Sequence, residues 1–142
     1  SAIAKRYLPE VGTNWVLSWV LPQAGNVVIV SELTLVEMFS LLARRQREGS
    51  LSAPNTGILQ GNFLLHCERE YLVTPLDSGV LRLARQLVDK HPLRTLDAIQ
   101  LASALHVVNI LNEPMTFISG DKNLLSAAAA EGFVTDDPNS HP

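Results

Sequence analysis

The chain has 142 residues, of which 46% are hydrophobic and 18% charged, and its formal net charge is -3. That composition suits one globular domain built on one core and excludes a disordered chain. No apolar run is long enough for a membrane-spanning helix, and the single cysteine, Cys67, excludes an intrachain disulfide.

In chain order, the opening segment mixes Lys5, Arg6 and Glu10 with short apolar stretches and shows no signal-peptide pattern. With the lone cysteine this leads us to expect a cytoplasmic protein. Residues 26–31, NVVIVS, follow a Gly25-Asn26 turn and read as a buried β-branched strand. Residues 32–48 have helical spacing, stop at Gly49 and offer Ser31 as the N-cap. A second helix spans about 54–70, with Pro54 in its first turn. A short extended stretch at 71–75 leads to a helix over 77–90 that His91 and Pro92 close. The next helix runs from Thr95, its expected cap, to about 110. A strand over 115–119 reads MTFIS. An alanine-rich helix over 121–131 ends at Gly132, and 133–135 forms an edge strand. The tail DDPNSHP is expected to fray. Short buried strands alternating with longer helices predict an α/β fold, a parallel sheet with helices on both faces, in one domain over 1–142. Ligands of such folds sit beyond the carboxyl ends of the strands.

The chemistry lies in acids placed where apolar residues belong. Glu37 interrupts the run LTLVEMFSLLA. Asp97 heads a helical row with Leu101, Ala104, Leu105 and Val108. A first-turn aspartate is favoured by the helix dipole, which explains its nearness to the cap but not its place on the core-facing side. Asp121 follows MTFISG where a strand gives way to a helix, with Ser119 beside it and Gly120 allowing a sharp turn. Glu37 stands about 7 Å along its helix at ~1.5 Å per residue, so a longer arm leaning toward the N-terminus reaches the same crevice. Gathered carboxylates repel one another unless a hard cation such as Mg²⁺ or Mn²⁺ relieves them. The negative net charge counts mildly against nucleic acid, and less so if several acids surround a cation. The four histidines (66, 91, 106 and 141) have no zinc spacing, and there is no P-loop, dinucleotide fingerprint or nucleophile elbow.

Four blocks in this order resemble PIN-domain ribonucleases, in particular the VapC toxins of toxin–antitoxin pairs. SAIAKRYLPE is similar to their opening helix, SELTLVEMFSLLARRQREG to the block carrying Glu37, LRTLDAIQLASAL to that carrying Asp97, and FISGDKNLLSAAAAEG to that carrying Ser119 and Asp121. The resemblance implies a three-layer α/β/α domain with a central parallel sheet. It implies Mg²⁺ or Mn²⁺ held by Glu37, Asp97 and Asp121, with Ser119 supporting, and hydrolysis of RNA phosphodiesters. It also implies a homodimer and inhibition by a small antitoxin. Lys5, Arg6 and Arg94 are the candidate phosphate contacts; Arg44 and Arg45 are better explained as a solvated helix face. The resemblance further places an aspartate two positions before Ser1, at the end of a central strand, so the polypeptide is expected to extend upstream. A PIN-like binding module without turnover is the alternative; a phosphorylated receiver domain lacks its aspartate and lysine here.

Overall fold

Four short strands and six α-helices alternate along the chain in the computed structural model, which describes residues 1–142. A 3₁₀ helix at Ala2–Arg6 precedes α1 (Thr13–Val20), β1 (Val28–Ser31), α2 (Glu32–Arg47), α3 (Ala53–Arg69) and β2 (Tyr71–Thr74). Then follow α4 (Ser78–Lys90), α5 (Thr95–Leu111), β3 (Thr116–Ile118), α6 (Lys122–Ala130) and β4 (Val134–Asp136). Local chemistry explains the boundaries. The Ser52 hydroxyl accepts from Asn55 N at the start of α3, and the Asp77 and Asp121 carboxylates cap α4 and α6 in the same way. The stop after α6 uses Gly132 at φ 101°, a left-handed conformation in which a Cβ would be strained.

All strand pairing is parallel. β1 pairs with β2, Val28 opposite Tyr71, and β3 pairs with β4, Thr116 opposite Val134. The fold is of the α/β/α class, but its sheet is divided into these two pairs. Each half has its own core. Val16, Val20, Val28, Val30, Met38, Leu42, Phe63 and Tyr71 pack in one; Val80, Leu87, Ala98, Leu101, Leu124 and Ala128 pack in the other. A cleft of about 1060 Å³ lies between the halves, lined by the consecutive residues 27–31 on one side and 115–121 on the other. Successive side chains of a strand point to opposite faces. An unbroken run along the cleft therefore means that β1 and β3 turn their backbone edges toward it. Each has a partner on one side only, which leaves ladder donors and acceptors available on the other.

Four expectations need correction. The opening segment is a short 3₁₀ helix, and the first α-helix comes later, in TNWVLSWV. Thr95 is already helical; Arg94 is the N-cap and gives no side-chain cap. The single core is two clusters. The tail does not fray: Asp137 accepts from Asn139 N at 2.8 Å, Pro138 is buried, and the His141 ring stacks on Trp15 with centroids 4.2 Å apart.

Candidate active site

Glu37 comes from the second turn of α2, Asp97 from the first turn of α5, and Asp121 from the cap of α6. All three line the cleft between the half-sheets, with Arg94, Gln100 and Ser119. β1 delivers α2 directly, and β3 delivers the cap of α6 through Ser119 and Gly120. Both acids therefore arrive at the carboxyl ends of strands, as the architecture favours.

Each acid is already engaged. Gln100 Nε2 donates to Glu37 Oε1 at 2.6 Å and to Thr34 Oγ1 at 3.0 Å. The amide oxygen of Gln100 accepts from the buried Ser31 hydroxyl at 3.1 Å. Ser31 was expected to cap α2; its side chain makes no capping bond and serves this network instead. Asp121 Oδ1 accepts from Leu124 N, while Ser119 Oγ accepts from Asp121 N, both at 3.0 Å, which fixes the strand-to-helix turn. Arg94 lies between the remaining carboxylate oxygens: Nε donates to Asp97 Oδ2 at 3.4 Å and Nη2 to Asp121 Oδ2 at 3.3 Å. These contacts are long and the arginine side chain is 83% exposed, so they are weak and easily exchanged. No three acidic, imidazole or thiol groups stand close enough together to hold one ion. The donor set fits a hard divalent cation nevertheless. It is all oxygen, and a guanidinium already occupies the place of positive charge between Asp97 and Asp121.

Lys5 and Arg6 do not have the placement expected of phosphate contacts. Neither lines the cleft. The Lys5 side chain is 7% exposed and its ammonium donates to Glu10, the Val11 carbonyl and Asn139. Arg6, 11% exposed, donates to Glu70 at 2.9 Å and to the Tyr71 hydroxyl at 2.8 Å. Burial opposes the Arg6 charge, but Glu70 and the two tyrosines outweigh it and the pKa is raised. Both cations hold the first turn to distant parts of the chain. Cys67 also stays outside the site: burial raises its pKa and keeps it a thiol, a poor nucleophile.

Residues 3–130 match the PIN domain among known protein families. The chain belongs to the PIN-domain family. PIN domains are generally nucleases, and this chain carries that nuclease-type fold. PIN domains typically use divalent metal ions, which agrees in kind with the oxygen donors lining the cleft. No curated protein matches the chain, and no helix is long and apolar enough to cross a membrane.

Sequence reasoning missed Gln100 and Thr34, which hold Glu37. It also missed Asp136, which ends β4 opposite Ile118 and lines the same cleft. A signal for Gln100 was present. It interrupts DAIQLASAL one turn after Asp97, as Glu37 interrupts its own apolar run.

Proposed function

We propose that this PIN domain is a Mg²⁺- or Mn²⁺-dependent endoribonuclease, the toxin of a VapC-like pair with a small antitoxin, working as a homodimer in the cytoplasm. The observation that carries the reading is that three acids from α2, α5 and α6 line one cleft in a chain of a nuclease family. Exposed apolar side chains on α2 and α3, Val36 and Ile58, support protein partners.

Glu37, Asp97 and Asp121 would hold the cation. Once bound, it supplies Lewis acidity toward a phosphoryl oxygen and lowers the pKa of a bound water. Ser119 keeps Asp121 at its turn through the 3.0 Å bond to the backbone. Arg94, the most exposed of the charged groups here, contacts substrate phosphate, where a planar guanidinium can bind two oxygens. The reading includes a fourth carboxylate on an extended segment laid between β1 and β3. The unpaired backbone edges of both strands support this placement.

The test is cleavage of single-stranded RNA by the purified protein with Mg²⁺ or Mn²⁺, repeated in excess chelator and with single-stranded DNA. RNA cleavage that stops with chelator and with Asp121→Asn is expected. Undiminished cleavage in chelator contradicts the metal role. Tight RNA binding without cleavage moves the reading to a binding module.

A further inference from the structure

We propose that Gln100 is the residue that positions Glu37 for cation binding, so that α5 sets the relative placement of two ligands while supplying only one. The inference rests on the cation-site reading above and extends it to a residue outside the acidic set.

The geometry leaves Gln100 little freedom. An ionised carboxylate can only accept hydrogen bonds, so the amide nitrogen must face Glu37. Nε2 then spends one hydrogen on Glu37 Oε1 and the other on Thr34 Oγ1, at 2.6 and 3.0 Å. The amide oxygen is held from the opposite side by the buried Ser31 hydroxyl. Reversing the amide would set its oxygen against a carboxylate and its nitrogen against a donating hydroxyl, breaking the pattern at both ends. Glu37 is therefore held through Oε1, while Oε2 makes no hydrogen bond within the protein and is the oxygen left for a cation.

Sequence position adds the second half of the argument. Asp97 and Gln100 are three residues apart on α5 and so lie on neighbouring points of one helix face. Asp97 is fixed by the helix backbone, and Glu37 is fixed to the same helix through the amide. The free alternative for Glu37 is poor. Its three side-chain torsions would sample many rotamers if unheld, and ordering them on binding carries an entropic cost. A group that orders a ligand beforehand raises affinity without touching the ion.

The experiment measures Mn²⁺ binding by calorimetry for the protein and for Gln100→Leu, Glu37→Gln and the double variant, with melting of each in chelator. Gln100→Leu should weaken Mn²⁺ binding by ~10–100-fold and Glu37→Gln by at least as much. In the Glu37→Gln background, Gln100→Leu should add less than about threefold, because a residue acting through Glu37 has nothing left to position. Losses that multiply in the double variant, or a Gln100→Leu that binds like the parent while Glu37→Gln does not, overturn the proposal for Gln100 alone. Equal binding by parent and Glu37→Gln overturns the cation-site reading, and this proposal with it. Should Gln100→Leu fail to fold, nitrogen-15 NMR of the parent decides. The Gln100 side-chain amide protons should exchange slowly and shift as Mg²⁺ is added. In Glu37→Gln that shift should vanish; an unmoved amide signal in the parent refutes the positioning role.

Discussion

A single polar residue in an apolar row carries different meanings at different places in this chain. Glu37, Asp97 and Gln100 all break helical apolar patterns, and all three line the cleft. The breaks at Glu37 and Asp97 were legible because carboxylates on a buried face require an explanation. Gln100 escaped because an uncharged amide is easily accepted as a tolerated exception. Lys5 and Arg6 show the reverse failure. Basic residues near a chain start read as solvent-exposed, yet their partners Asn139 and Glu70 lie 134 and 64 residues away. No local pattern reports such distant pairing. Asp97→Asn is the residue-scale prediction. It keeps size and a hydrogen-bonding oxygen but removes the charge that would hold the cation. RNA cleavage should fall at least ~10–100-fold, while melting in chelator should stay level or rise as like-charge repulsion is relieved. A variant that unfolds while its folded fraction cuts RNA normally would make Asp97 structural.

Elements were easier to read than their joints. Gly49, His91-Pro92 and Gly132 punctuate the helices, so α2, α4 and α6 fall close to their expected spans. The helix α1 was missed because TNWVLSWV carries no charge to mark a solvent face and is rich in β-branched and aromatic residues, which favour helices weakly. The joint between the first 3₁₀ turn, α3 and β2 could not be foreseen at all. There the Tyr7 hydroxyl meets His66 Nδ1 and the Tyr71 hydroxyl, each at 2.7 Å, and Arg6 donates to Tyr71. Burial, then the neighbouring Arg6 charge, lowers the His66 pKa, with Glu70 opposing. Burial and the Tyr71 hydroxyl raise that of Tyr7, which stays a phenol. Neutral His66 can thus accept the Tyr7 proton at Nδ1 and turn its Nε2 hydrogen toward Glu70, 3.4 Å away. Below the ordinary histidine value of 6.5 the unfolded chain takes up a proton that the folded chain resists. Stability is therefore intact above that value and declines as pH falls through the lower folded pKa. Melting temperatures in chelator should drop between about pH 8 and about pH 5, and His66→Gln should flatten the drop. An unchanged profile in that variant would remove His66 from the account.

At the scale of the whole molecule, two cores flank one cleft, and the polar groups that cross between the halves are the ones proposed to do chemistry. Ser31, Thr34 and Glu37 belong to the first half and Gln100 to the second, and the amide joins them. Asp97 and Asp121 stand on the second half, held near each other by Arg94. The α/β/α class was legible because strand and helix periods alternate cleanly along the chain. The division of the sheet was not, because hydrophobic patterning marks a buried strand without naming its neighbours. A cation bound across the cleft would tie the halves together, and its position is the sharpest test of the account. Crystals grown with Mn²⁺ and measured at its absorption edge should show an anomalous peak bounded by Glu37, Asp97 and Asp121, with Arg94 turned away from the carboxylates. An anomalous map with no peak among these three acids at saturating Mn²⁺, or with its peak at some other part of the surface, would contradict it.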